Sequence, residues 1–525
     1  MSGNRLTAED RARIVERGLT TDEVERQLAL LRDPPPPTRL ERPCTVGDGI
    51  VQLEGAARSD ALEAWSEAAD MGRIAKFVPA SGAATRMFKN LLEVMNRTEH
   101  DTLQSLRSRA DTDDAARDVV RFVDNLERFA FRAELWEAAR GAGDGDRLRA
   151  EDGVGYVELL RAMMGPEGLD YARLPKGIIS YHRYEDGPRT AFEEQLVEAA
   201  GYARDGSGAC RMHVTISAEH APSFRERLAR ARETLEPRLG VRFEVAMSQQ
   251  SPSTDTVAID ERGQPFRTTD GQLLFRPGGH GALIGNLDRM GADVVIIKNI
   301  DNVVRDERKG PTLAWKKLLT GHLLRLQSRV FGYLERLESA AEAGVIEEAA
   351  HFVATALSVP ATAGADGDLE VRRAFLIDRL DRPLRACGVV RNEGEPGGGP
   401  FWVREEDGAI SPQIVESSEF DASEAGQQVV WSRSTHFNPV DLVCSVRDRR
   451  GRPYELERFV DPRKVFVTKK SSGGRSLLAL ERPGLWNGAM ARWNTVFVEV
   501  PIETFAPVKT VFDLLRPAHQ PVSSG

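Results

Sequence analysis

Apolar positions near the N-terminus fall at helical spacing. Val24, Leu28 and Leu31 share one face of a run that Thr21 is placed to cap. Ahead of it, Thr7 with Asp10 has the pattern of a capping box, and Gly18 stops that first helix. Pro34 to Pro37 closes the second helix as a stiff linker, because proline fixes φ and has no amide to donate. Residues 1–70 are therefore expected as a helical N-terminal arm docked on the main body. After Gly72 the pattern changes to strand, loop and helix: Ile74 to Val78 is a short apolar strand, followed at once by PASGAATRMFKNLLEVM. A charged, helix-like stretch runs from Asn90 to Gly168, and strands resume at Gly177-Ile178-Ile179. Thr190 opens the helix AFEEQLVEAAGYA. Strand RMHVTIS, helix SFRERLARARETL and strand VRFEVAM then give βαβ order, which implies a parallel sheet. A further strand, Asp293 to Lys298, ends at Asn299-Ile300-Asp301-Asn302, and residues 312–357 read as one or two amphipathic helices. The last portion mixes strands such as Val496 to Val500 with turns and ends in a helix, TVFDLLRP. No repeat of fixed period is visible. The pattern predicts an α/β fold with a mostly parallel central sheet. Its core spans 71–440 with a helical insertion at 90–168, and an α/β segment follows at 441–525.

Composition narrows the function classes. A chain of 525 residues is long for one domain, so two or three are expected. Seventy-one Lys and Arg against 80 Asp and Glu leave a net charge of −9 and a pI near 5.7, which argues against grip on a nucleic-acid backbone. The longest apolar runs, such as Val294 to Ile297, are strand length, so no membrane span is expected, and the N-terminus lacks the apolar core of a secretory signal. A cytoplasmic location is the expectation. Cys44, Cys210, Cys387 and Cys444 lie far apart with no C-x-x-C pair, which indicates neither a zinc site nor a disulfide framework.

Several stretches have the residue types that phosphate chemistry needs. Ala80, Ser81, Gly82, Ala83, Ala84 and Thr85 form a loop of small residues between a strand and a helix. Backbone amides there approach phosphate oxygens closely, and Arg86 adds a planar cationic fork. A plain strand–helix turn packed by small residues has the same pattern. Lys176, in Arg173-Leu174-Pro175-Lys176-Gly177, says little alone. Gly278, Gly279 and Gly281 surround His280; they permit backbone contact with a flat ligand, or else make a glycine turn round a structural histidine. Asp301 ends an apolar strand, where ligands of open α/β sheets collect and a hard carboxylate suits Mg²⁺ on phosphates. A strand-end aspartate is equally a turn former.

Taken in order with the C-terminal F-A-P-V-K-T-V-F-D-L-L, these stretches resemble the UDP-sugar pyrophosphorylases, nucleotidyltransferases of the GT-A-like α/β fold. That family has A-G-G-x-G-T-R-L-G, P-K-G, P-P-G-H-G-D, N-x-D-N-L and F-L-P-V-K-T-x-S-D-L-L. Here they read A-S-G-A-A-T-R-M, L-P-K-G, R-P-G-G-H-G-A, N-I-D-N-V and F-A-P-V-K-T-V-F-D-L-L. CRMHVTISAEH and AMSQQSP resemble two further family strands, and the likeness is nearest to an uncharacterised bacterial group of the superfamily. The resemblance covers about Ile74 to Arg516 and implies transfer of a nucleotidyl group from a nucleoside triphosphate, UTP foremost, to a sugar 1-phosphate, with release of pyrophosphate.

By resemblance, Arg86, Lys176 and Lys509 are the catalytic candidates, and Ala80 to Thr85, Gln249, Gln250, Gly279 and His280 face the nucleotide. Asn392 and Glu393, in the loop Asn392 to Pro400, and Asn487 line the sugar, while Asp301 holds Mg²⁺. The pattern departs from the family in three ways. Ser81 and Ala84 replace glycines, Ala282 replaces an aspartate, and Lys176 follows Arg86 by 90 residues, which requires 90–168 to be an insertion, plausible as a lid. A glycosyltransferase of the same fold is the first alternative, although Asn299-Ile300-Asp301 offers one acid where a D-x-D has two. A nucleotide-binding module without catalysis is the second.

Overall fold

The computed structural model describes residues 6–97, 101–141, 155–339, 342–359, 367–394, 397–405 and 408–522. At the N-terminus the capping box forms: Thr7 Oγ1 accepts from the Asp10 amide, and the Asp10 carboxylate accepts from the Thr7 amide, opening the helix Ala8–Glu16. The second helix, Thr21–Arg32, is capped by Thr20, one residue before the expected Thr21, because Thr20 holds the extended backbone a cap requires. Ile14, Val24, Leu28 and Leu31 pack on a four-stranded sheet through Val257, Ile259 and Leu480. Arg17 also pairs with Asp255 at 2.5 Å, so the arm is docked. The helical arm is shorter than 1–70. Beyond the prolines, Arg39–Pro43, Thr45–Val46 and Gly49–Val51 are strands of the main sheet, and helix Ala56–Asp70 packs along Gly310–Ser339. Leu40 and Ile50, fully buried on those short strands, supply the reason.

The central sheet contains β1 (Thr45–Val46), β2 (Gly49–Val51), β3 (Ile74–Pro79), β4 (Ala209–Thr215), β5 (Arg242–Ser248), β6 (Val294–Ile297), β7 (Leu384–Arg391), β8 (His436–Ser445) and β9 (Asn494–Glu499). Their spatial order is β1-β2-β9-β7-β8-β6-β3-β4-β5, and every neighbouring pair is parallel except the two that involve β8. The chain is thus α/β with a mostly parallel sheet, as its βαβ pattern implied. The expected division at 440 falls inside β8, so residues on both sides of it belong to this one sheet. β6 is buried at all four positions, as a strand with both faces covered must be.

Two expected elements differ. Gly177 and Ile178 lie in a 3₁₀ turn, Lys176–Ile178, and the strand begins at Ser180, because Gly177 packs against Phe224 with no room for a Cβ. The terminal T-V-F-D-L-L run is a 3₁₀ turn rather than an α-helix, since Asp513 folds back on the Thr510 and Lys509 amides. Between Arg86 and Lys176 lie Lys89–Met95, Leu103–Arg109, Asp114–Asp124, Arg132–Gly141 and Gly155–Met164, helices packed round Phe122, Phe129 and Phe131. Residues 98–100 and 142–154 of the expected insertion lie outside the described residues.

A buried charge cluster ties the sheet to the helix Ala191–Ala200. Glu198 receives Lys76 of β3 at 3.2 Å and Lys298, the residue after β6, at 2.6 Å, and all three side chains are at most 1% exposed. Burial opposes ionisation of Glu198, yet the two ammoniums outweigh it and hold its carboxyl well below the usual range. Burial pulls Lys76 down to about 7 against the attraction of Glu198.

A second buried chain of polar groups anchors the C-terminus. Glu194 accepts from His182 Nδ1 at 2.9 Å, and His182 Nε2 accepts a hydrogen bond from His519 Nδ1, also at 2.9 Å. Burial, reinforced by His182 and Arg516, pulls His519 down to about 3. An unfolded imidazole titrates near 6.5. Between those values the unfolded chain binds a proton that the folded chain refuses, so this group's contribution falls as the pH drops below 6.5. The expected slope is at most about 1.4 kcal/mol per pH unit for one group. Thermal melts from pH 7.5 to 4 should show the decline, and His519→Gln should flatten it; a wild-type melting temperature constant from pH 6.5 to 4 would contradict the assignment.

Candidate functional site

The site builds up along one edge of the sheet, the C-terminal ends of its parallel strands. β3 runs out at Pro79, and the Ala80 amide still donates to Thr215 O at the end of β4. The loop then turns away. Gly82 O accepts from the Lys176 amide at 3.1 Å and the Ala84 amide donates to Leu174 O, so the two stretches that are 90 residues apart in the chain form a small antiparallel bridge. Among the described residues, no hydrogen bond engages the amides of Ser81, Gly82 and Ala83, and all three residues are exposed. These three exposed amides are open to an acceptor from outside the protein. Ala84, by contrast, is fully buried, so its methyl group faces the core and the lost glycine leaves the open side of the loop unchanged. Thr85 donates to Ala172 O; Arg86 is exposed and has no hydrogen-bond or ion-pair partner among the described residues.

Asp301 is the meeting point of the edge. Its Oδ2 accepts from Lys176 Nζ at 2.8 Å and lies 3.6 Å from Lys509 Nζ. Lys176 also donates to Val508 O at 2.7 Å, while the Val508 amide donates to Asp301 O. The C-terminal motif is thereby folded back onto the strand end. Asn302 completes the clasp: its Oδ1 accepts from the Ala506 amide and its Nδ2 donates to Thr504 O. The two lysines differ sharply, since Lys176 is 13% exposed and Lys509 63%. Lys176 is built in; Lys509 projects.

Further along the edge, Asn286 joins the next two stretches by donating from Nδ2 to Ser248 Oγ and Gln249 O. Gln249 is exposed, and Gln250 Nε2 is buried with no partner. His280 Nδ1 accepts from the Leu485 amide, which leaves the neutral ring a donor at Nε2, and the ring stacks on Trp486. Burial keeps its pKa below the ordinary value, against Glu416 and Glu481. Two of the glycines here are required by the protein's own backbone. A Cβ on Gly281 would stand 2.0 Å from Pro483 O and one on Gly278 would stand 2.4 Å from Thr254 O, so both mark close backbone crossings, and Gly279 has φ +77°. Ala282, buried, faces the core.

The expected sugar-side residues lie apart from Asp301. Asn392 and Glu393 follow β7, on the far side of β8 from Asp301, and both are exposed; Glu395 and Pro396 of that loop lie outside the described residues. Asn487 is 1% exposed and donates to Glu419, whose carboxyl burial pushes up to about 7. Two groups that the motifs did not single out belong to the site. Asp513 accepts from the Lys509 and Thr510 amides and orients the projecting lysine. The Tyr181 hydroxyl is buried without a partner, and burial beside Asp301 and Asp513 pushes its pKa well up. Asp513 stood in the D-L-L motif without a role, whereas nothing in the spacing of Tyr181 distinguishes it.

A Mg²⁺ ion would meet one protein carboxylate here. Asp301 Oδ1 has no hydrogen-bond partner, and among the described residues no group of three or more His, Cys, Asp or Glu is arranged as a cage. That donor set fits an ion that arrives on phosphates and keeps its other oxygens from them and from water.

Comparison with known proteins places the chain in a family. Residues 7–520 match the family described as "Domain of unknown function (DUF4301)", and the chain belongs to it. No curated protein matches. Among solved structures the chain is similar to the uridine diphosphate N-acetylglucosamine pyrophosphorylase of Trypanosoma brucei. The identity is 12% and the TM-score 0.47, over 97% of this chain and 82% of that one. It is also similar to a UDP-glucose phosphorylase of Trypanosoma brucei, at 13% identity and TM-score 0.43, over 96% and 77%. A third is a putative UDP-N-acetylglucosamine pyrophosphorylase of Entamoeba histolytica, at 9% identity and TM-score 0.43, over 91% and 85%. No helix among the described residues is long and apolar enough to cross a membrane.

The unequal burial of the two lysines has a measurable consequence. Lys176→Ala removes a partner from a buried carboxylate and a buried carbonyl and should cost about 1–3 kcal/mol of stability. Lys509→Ala should stay within about 0.5 kcal/mol, as a surface change does. Denaturant unfolding of both variants checks this; equal losses would contradict the assigned roles.

Proposed function

We propose that the protein is a sugar-1-phosphate nucleotidyltransferase. It joins a nucleoside triphosphate, UTP foremost, to a sugar 1-phosphate and releases pyrophosphate. The observation that supports this most is the single carboxylate of Asp301, gripped by Lys176 and faced by Lys509, beside the free amides at Ser81 to Ala83. Four stretches, from Ser81 to Lys509 along the chain, come together there, each contributing a group of the type that a triphosphate needs.

Transfer of this kind requires in-line positioning and neutralised charge, with little covalent work by the protein. The 81–83 amides and Arg86 take the β- and γ-phosphates. Lys509, free to swing, reaches the α-phosphate as the sugar phosphate oxygen attacks and the bond to pyrophosphate breaks. Lys176 acts through Asp301, fixing the carboxylate so that Oδ1 stays available. Asp301 would hold Mg²⁺ together with the phosphates, and the ion would neutralise charge at the α-phosphate. The Nε2 donor of His280 and the amide of Gln249 face the base, where an amide pairs with both a donor and an acceptor on a uracil edge.

A second reading, nucleotide binding without transfer, is favoured by the Lys176–Asp301 contact, because an inward lysine already occupies one oxygen of that carboxylate. One experiment separates the two. Pyrophosphate release is measured for UTP, ATP, GTP and CTP against a panel of sugar 1-phosphates, with and without Mg²⁺. Activity with UTP that falls about 100-fold or more in Lys509→Ala, at unchanged melting temperature, is the expected outcome. Tight UTP binding with no release for any sugar phosphate would favour the second reading, and no binding of any triphosphate would end both.

A further inference from the structure

The opposite edge of the sheet holds a second polar cavity. β7 and β9 both begin there, and Asn494 Nδ2 donates to Arg379 O just ahead of them. The site round Asp301 lies at the other edge of the sheet, past the C-terminal end of β6. The cavity has a volume of about 520 Å³, and its charged lining is Arg379, Arg382, Arg463 and Arg492 with Glu405 and Asp461. Phe375 and Ile410 add an apolar wall.

The charges do not cancel within the cavity. Asp461 accepts from Arg463 at 3.3 Å, Glu405 lies 3.5 Å from Lys464, and Arg382 is taken up by Asp378, four residues before it. Arg379 and Arg492 have no carboxylate within ion-pair distance among the described residues, and Arg379 Nε is sealed from solvent with no hydrogen-bond partner. Burial, with Arg382 beside it, pulls Arg379 down to about 10 against the weaker pull of Asp378 and Glu405. The Arg379 guanidinium lines the cavity, and a planar guanidinium fork is matched best by a phosphate. Arg492, exposed at the rim, is placed to meet the same anion.

We infer that this cavity is a binding site for a phosphate-bearing small molecule, with Arg379 at its floor and Arg492 at its rim, separate from the site round Asp301. The inference does not rest on the proposed reaction, because it needs only the residues of the opposite edge.

Its test uses the full chain with the first site disabled by Arg86→Ala and Lys509→Ala, titrated calorimetrically with pyrophosphate and, separately, inorganic phosphate. One anion should still bind. Adding Arg379→Gln should weaken that binding at least tenfold, and adding Arg492→Ala, at an exposed position where folding is not at stake, should weaken it severalfold. Absence of any binding by the doubly substituted chain would overturn the inference. So would binding that neither Arg379→Gln nor Arg492→Ala alters, since the anion would then sit elsewhere. If Arg379→Gln fails to fold by circular dichroism, Arg492→Ala alone decides.

Discussion

The carboxylate of Glu198 sets the geometry on which the rest depends. It is buried, it sits on the helix Ala191–Ala200, and it draws Lys76 of β3 and Lys298 at the end of β6 to the same point. β3 delivers the small-residue loop three residues after its own register with β6 ends, and Lys298 stands three residues before Asp301. A clamp between these strands therefore fixes the relative height of the loop and of the acid. Removing one partner of such a cluster leaves a bare charge in a dry interior, typically 3–5 kcal/mol, whereas a surface pair is worth a fraction of that. The same helix contributes Gln195, which donates to Asn299 O and Ile300 O, and so holds the strand end itself. Helix, strand and site are one mechanical unit.

The parallel order of β3, β4 and β5 and the pairing of Arg86's loop with Lys176 were legible in the chain because each follows from local pattern. βαβ order forces parallel strands, and two family stretches separated by a helical run must close over that run. β8 was not legible in the same way. It enters the sheet antiparallel from a region of short strands and turns, and nothing in HFNPVDLVCS states which neighbours it takes. The strands at 39–51 were missed for a related reason: two- to five-residue segments have too little alternation to read, and their burial comes from partners 350 or more residues away.

The site was legible to the extent that a motif states a residue type, and no further. Lys176, Asp301 and Lys509 meet as the motif order implied. The glycines round His280 show the limit of that reasoning. A glycine is required wherever a Cβ would collide, and the colliding atom here is the protein's own backbone at Pro483 or Thr254. Sequence cannot distinguish a backbone from a ligand as the neighbour. Ala84 teaches the converse. A replaced glycine looked like a damaged phosphate loop, but its side chain points inward and the three free amides stand before it.

The segment 483–493 connects what the sheet keeps apart. At one end Pro483 and Leu485 support His280, and Trp486 stacks on its ring. At the other, Ala491 and Arg492 wall the arginine-lined cavity, and Asn494 begins β9. In between, Gly488 packs on Lys464 with no space for a Cβ, and its carbonyl accepts from the Asp461 amide. Asp461 and Lys464 are themselves tied to Arg463 and Glu405, the charges of that cavity. A change in how those charges are satisfied therefore bears on Gly488 directly, and through the buried backbone between them on the His280 ring. Packed interiors respond to such a push by shifting between discrete arrangements rather than by yielding smoothly. From Pro483 to Met490 the segment between the two edges is buried at every position.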